Sequence, residues 1–268
     1  MHSISSDSLL IDPDRHARVT AGPGAGKTHW LVEHTRNVLR RSRKLHSHAR
    51  IAVISYTNVA AEELRRRLAA ESDRTDIATI HSFLYRNVVK PYLHLVRRSD
   101  GQALVNFACV EGHDEHHVSR KRTEDWLTSV GLRTILGNPE QFEALMEALA
   151  LARWVISGDP SEWHLAVDMP KGLSFALWKK TKTALTPERL VAYKQHYWND
   201  GVIDHDDVLY FANRLLDEHP LIGECLGARY PFLFIDEFQD TVPAQTRAVR
   251  ALAERGVTVV VIGDPEQS

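Results

Sequence analysis

The sequence predicts an α/β fold in which a parallel sheet is interrupted by a mainly helical insertion. Three observations predict it. Short apolar runs, each followed by a turn or a helical pattern, recur in the first and last parts of the 268-residue chain. The stretch between them loses these runs and takes on helical spacing. Five of the six tryptophans fall in that stretch, from Trp126 to Trp198, as a separate small core would require.

Four segments read as strands. His16–Thr20 is short and runs directly into a glycine-rich stretch. Ile51–Ser55 is a compact apolar run, and the helix after it places Ala60, Ala61, Leu64 and Leu68 at helical spacing, with Glu62 and Glu63 four residues before Arg66 and Arg67. Tyr230–Ile235 and Val257–Ile262 are the clearest buried strands, and each leads into an acidic residue. Strands alternating with helices place ligands at the carboxyl ends of a parallel sheet. From about Lys90 to Leu190 helical patterns take over, for example Gln141–Trp154 with Phe142, Leu145, Met146, Leu149 and Leu151 on one face. The expected division is residues 1–89 with 190–268 for the sheet, and 90–189 for the helical insertion.

Composition narrows the class of function. Hydrophobic residues at 43% and charged residues at 25% are ordinary for a globular protein. No apolar run approaches the length of a membrane span. The two cysteines, Cys109 and Cys225, are far apart, which excludes a disulfide framework or thiolate metal site and fits a reducing cytoplasm. A net charge of −2 means that contact with nucleic acid must use local basic stripes. Candidate stripes are Arg36, Arg40, Arg41, Arg43 and Lys44; Arg65–Arg67; and Arg120–Arg122.

The chemistry begins at Ala21-Gly22-Pro23-Gly24-Ala25-Gly26-Lys27-Thr28, which lies between a strand and a helical pattern. It fits the phosphate-binding loop GxxxxGK[ST], with Ala21 in place of the first glycine. Small residues let backbone N–H groups curl around a phosphate, and the following helix adds the positive end of its dipole. Lys27 is expected to bridge the β- and γ-phosphates of ATP and Thr28 to hold Mg²⁺. The strand Phe232–Ile235 delivers Asp236 toward that metal and Glu237 toward the attacking water as general base.

These residues carry a family resemblance. Ala21–Thr28, Ile54–Ala61, Thr79–Phe83, Ile235–Thr241 and Ile262–Ser268 resemble, in order, motifs of UvrD/Rep/PcrA-like superfamily 1 DNA helicases, and Ile203–Leu209 resembles the family's acidic patch. The resemblance covers about residues 16–88 and 190–268 and implies the first RecA-like domain of a P-loop NTPase, interrupted by a helical subdomain. It implies that Tyr56, Thr57 and Asn58 contact single-stranded DNA, or DNA with a single-stranded tail, with an aromatic ring stacked on a base. It places His81, Ser82 and Phe83 in the next DNA-side motif, and makes Gln267 a γ-phosphate sensor that links ATP state to DNA grip. Family members usually read adenine with a glutamine ahead of the phosphate loop; here the first glutamine is Gln102.

Because the sequence stops inside the motif holding Gln267, the second RecA-like domain and its arginines are expected to lie outside these residues. The 268 residues alone are then expected to bind nucleotide, hydrolyse it weakly and separate no strands. The setting is DNA repair or phage defence beside a nuclease. The alternative is a nucleotide-switched adaptor that regulates a nuclease without unwinding, which the intact Lys27, Thr28, Asp236 and Glu237 disfavour. Another kind of phosphate-loop ATPase is disfavoured by Tyr56–Asn58 and Gly263–Gln267. Glu111, His113, Asp114, Glu115, His116 and His117 have metal-ligand chemistry but the spacing of a polar loop.

Overall fold

The computed structural model describes residues 10, 12–22, 24–98, 100–110, 112–156 and 158–264. In chain order its strands are β1 (Ala17–Thr20), β2 (Ile51–Ser55), β3 (Thr75–Thr79), β4 (Arg153–Val155), β5 (His164–Ala166), β6 (Phe232–Ile235) and β7 (Thr258–Gly263). Its α-helices are α1 (Lys27–Arg41), α2 (Asn58–Arg67), α3 (Ile80–Leu84), α4 (Lys90–Tyr92), α5 (Arg120–Ser129), α6 (Pro139–Ala150), α7 (Phe175–Lys182), α8 (Pro187–Trp198), α9 (His205–Glu218), α10 (Pro220–Arg229) and α11 (Pro243–Ala253). These elements pack as two units, residues 1–88 with 215–268, and residues 89–214.

The first unit is a five-stranded sheet in the order β1-β7-β6-β2-β3, every pair parallel. β2 and β6 are buried at every position, as expected of strands covered on both faces. Their side chains join Trp30, Leu31 and Val38 of α1, Leu64 of α2 and Val260 of β7 in one core. This is the α/β RecA-like sheet that the resemblance implies. β3 was not among the expected strands: it is an edge strand, and its sequence Thr-Asp-Ile-Ala-Thr lacks the apolar run that marks the central ones.

The second unit is mainly helical, and its helix starts follow from side-chain caps. Ser119, Asn138, Ser174 and Thr186 each accept a hydrogen bond from a first-turn amide of α5, α6, α7 and α8, with Pro139 and Pro187 at the first helical position. The core collects Trp126, Phe142, Leu145, Leu190, Trp198 and Phe211. Two expectations are corrected here. The helix expected over Gln141–Trp154 ends at Ala150, leaving Leu151 43% exposed, because Trp154 lies in β4, paired antiparallel with β5. There its ring stacks on Tyr210 at 3.7 Å between centroids. The unit also runs on past residue 190 to Arg214, because α8 and the start of α9 bring Tyr193, Tyr197, Trp198 and Phe211 into the same core.

The acidic segment Ile203–Leu209 begins α9. Asp204 Oδ1 accepts from the Asp207 N–H at 2.9 Å, and Asp207 Oδ2 accepts from the Asp204 N–H at 3.2 Å, a reciprocal cap. Buried Lys194 reaches both carboxylates, and the indoles of Trp154 and Trp198 donate to Asp207 at 3.1 and 3.0 Å.

Candidate functional site: the phosphate loop and its facing carboxylates

The phosphate loop leaves the carboxyl end of β1 beside the end of β7, where the Ala21 N–H donates to the Gly263 carbonyl at 3.2 Å. That contact uses backbone alone, so alanine serves where the motif has its first glycine. Gly24 and Gly26 have φ of 72° and 82°, a left-handed conformation that a side chain would strain. Gly26 caps α1 through its carbonyl, which accepts from Trp30 N–H at 2.9 Å, with no side-chain cap and no acidic residue in the first turn. The amides opening α1 are therefore not competed for by a local carboxylate, the condition for anion binding at a helix start. Pro23 lies outside the described residues.

β6 ends beside β7, so the sheet order brings Asp236 and Glu237 opposite the loop. The Asp236 N–H extends the ladder to Ile54 O at 2.9 Å, and its side chain is 4% exposed. Burial, reinforced by the charge of Glu237, pushes the Asp236 carboxyl up to about 6. The chain then turns sharply at Glu237, whose φ of 52° is the one positive value outside glycine among the described residues. This turn aims its carboxylate at the loop: Glu237 Oε2 lies 3.3 Å from Lys27 Nζ.

Gln239 is a site residue that the motif reading passed over. Its Nε2 donates to Glu237 Oε2 at 2.8 Å, and its Oε1 accepts from the Asp264 N–H at 2.9 Å. A Cβ at Gly263 would lie 2.7 Å from that Oε1, so glycine here permits the approach. The signal was present in Asp236-Glu-Phe-Gln-Asp240, but spacing alone does not say that a glutamine two residues on reaches back to the glutamate.

The remaining expected residues divide. Tyr56, at the end of β2, is 52% exposed, and Asn58 is exposed beside it. Thr57 caps α2, its hydroxyl accepting from Ala60 N–H at 3.1 Å. At the end of neighbouring β3, His81 is half-buried and the Ser82 hydroxyl accepts from Thr79 Oγ1 at 3.0 Å. Phe83 is corrected: at 2% exposure it packs edge-on against Tyr230 and offers no ring to a base. Gln267 lies outside the described residues, as does Glu111. Among the described residues no group of three or more His, Cys, Asp or Glu is arranged to hold a metal. His116 is instead committed to Asp204 at 2.9 Å.

A family model described as the UvrD/REP helicase N-terminal domain matches residues 7–268. The chain belongs to this family. Relatives of this UvrD-like domain include the ATP-dependent DNA helicase srs2 of Schizosaccharomyces pombe, 27% identical over 96% of this chain and 28% of the relative. The Gabija protein GajB of Bacillus cereus is 26% identical over 89% of this chain and 38% of its own length. The ATP-dependent DNA helicase PcrA of Leuconostoc citreum is 26% identical over 93% and 30%. The chain thus spans between 28% and 38% of the length of these relatives. Among the described residues no helix is long and apolar enough to cross a membrane.

Proposed function

We propose that this chain is the nucleotide-binding half of an ATP-driven motor that acts on DNA. The observation that carries the reading is the convergence of Lys27 and Glu237 to 3.3 Å, across a glycine cradle flanked by Asp236. Loop amides and Lys27 take the phosphates, Lys27 as a point charge on the β,γ bridge. Asp236 and Thr28 would hold Mg²⁺: they are hard oxygen donors, and burial pushes the Asp236 carboxyl up further than the nearby charge of Lys27 offsets. Bound there, the ion would neutralise phosphate charge.

Glu237 accepts the proton of the attacking water, and Gln239, acting through Glu237, is a positioning residue. Competition from phosphate oxygens for Lys27 would release Glu237 for this work. Tyr56 offers an open ring for stacking on an unpaired base, with Asn58 beside it. The share of the relatives' length outside this chain would supply the opposing arginines and the second body needed for stepping. Isolated, the 268 residues would turn over ATP weakly and separate no strands. The cellular setting in this reading is DNA repair or defence against phage.

Calorimetry and turnover on the variants test the site. Lys27→Ala should abolish ATP binding. Glu237→Gln should keep it while lowering DNA-stimulated turnover by about 10²–10⁴-fold in the full-length protein. Unchanged ATP affinity in Lys27→Ala, or robust unwinding by the 268 residues alone, would refute the proposal.

A further inference from the structure

The structure sorts the basic stripes of the sequence. Arg65, Arg66 and Arg67 are paired to Glu62 and Glu63 on their own helix. Arg120 is paired to Glu143, and Arg122 to Asp200. Arg40 and Arg41 end α1, which runs back from the loop toward the amino ends of the strands, away from Tyr56. A fourth basic group, not singled out by the sequence, is different. From Met169 to Pro187 the sequence has no Asp or Glu, and Lys171, Lys179, Lys180 and Lys182 are all exposed. Among the described residues none of the four forms an ion pair with a carboxylate; Lys182 lies 6.0 Å from the ring centroid of Trp178.

α7 buries Trp178 and Thr181 and turns the other side outward. On that side Phe175, Lys179 and Lys182 follow at spacings of four and three residues, one stripe of the helix. Phe175 is 73% exposed. The helix dipole favours lysines in the last turn, but it favours neither Lys171 ahead of the helix nor a bare phenyl ring at its start. Cations without counter-ions beside an open aromatic ring match a polyanion with unpaired bases: phosphates for the lysines, a base face for the ring.

We propose that the Lys171–Lys182 face of the helical unit is a contact for single-stranded DNA in addition to Tyr56; the proposal rests on the DNA-motor reading. The eight residues of α7 span about 12 Å, long enough to face more than one phosphate of an extended strand.

The test is fluorescence anisotropy of the 268-residue chain with a labelled oligothymidylate and with a blunt duplex, over a range of salt. Three exposed substitutions are compared with the unaltered chain: the triple K179E/K180E/K182E, Phe175→Ala and Tyr56→Ala. The triple variant should bind the single strand at least about tenfold more weakly, with a salt slope smaller by about 2. Phe175→Ala should weaken single-strand binding about fivefold or more and leave the duplex unaffected. Thermal unfolding and ATP affinity should not move.

If Tyr56→Ala weakens binding while the triple variant keeps affinity and slope, the face proposal falls and the motor reading stands; an acidic protein surface then becomes the counterpart of the lysines. Loss on strand and duplex alike, without an effect of Phe175→Ala, overturns the single-strand assignment. An unaltered chain that binds neither probe overturns both.

Discussion

Each unit sets two nearby acidic residues beside a lysine, both buried in the helical unit but only Asp236 buried in the sheet unit, and the two groups are bonded very differently. In the helical unit Asp204 and Asp207 cap each other, accept two indoles and share Lys194, which is 1% exposed. Burial alone would raise Asp204, but Lys194 and His116 hold it well below the usual carboxylate range, while burial and the charge of Asp204 push Asp207 above it. At the sheet end, buried Asp236 accepts from the amide of Glu237 at 3.0 Å and sits above its usual range, while Lys27 approaches the neighbouring carboxylate at 3.3 Å. The backbone between them is left-handed. A saturated ionic network fixes a scaffold; a sparsely bonded one keeps lone pairs, and a cation held by one carboxylate, within reach of a ligand.

The largest effect should come from breaking the saturated group. Lys194→Met leaves two carboxylates buried without their cation and should cost about 3–5 kcal/mol, read by urea unfolding. A loss under about 1 kcal/mol would mean that the network holds little and the contrast is empty.

Histidine in the sheet unit sharpens the comparison through pH. His34 is 0% exposed, stacked on Trp30, and burial lowers it from 6.5 to about 4. The folded chain therefore prefers the neutral ring. The stability this contributes is complete above the unfolded value of 6.5 and is lost as pH falls toward 4, about 3 kcal/mol in all. His34→Phe should flatten that part of the stability–pH curve, and an unchanged slope would show that the ring is not desolvated.

At the sparse group, Gln239→Ala should lower kcat for ATP hydrolysis about fivefold, because Glu237 loses a hydrogen bond worth about 1 kcal/mol, while KM for ATP stays near its original value. A matching loss of ATP affinity would make Gln239 a binding residue instead. Smallest is the backbone strain. Glu237→Gly should be more stable than Glu237→Ala by about 1 kcal/mol, although both are inactive. Equal stabilities would show that the left-handed turn stores nothing.

What the sequence made legible follows the same physics. β2, β6 and β7 were readable because strands buried on both faces are continuous apolar runs, and the phosphate loop because its chemistry is local. β3 was missed because an edge strand needs no such run, and β4 because three residues around Trp154 look like the tail of a helix. Phe83 was placed on the DNA side by its motif neighbours, whereas only tertiary packing reveals Tyr230 beneath it. Lys194 gave no signal at all: its partners lie a helix away, and nothing in its own neighbours marks it as buried.

The sheet order has a consequence for how the chain is made. β1 is hydrogen-bonded to the sheet through β7 alone, with Thr20 opposite Gly263. The ribosome makes residues 21–257 between these two strands, so the loop around Lys27 stays unanchored on that side while they are synthesised. The helical unit, complete by Arg214, can settle while β1 is still waiting. Nucleotide binding thus waits for the docking of β7 between β1 and β6, and a nascent chain halted before Thr258 would expose the glycine-rich loop without the strand that anchors β1.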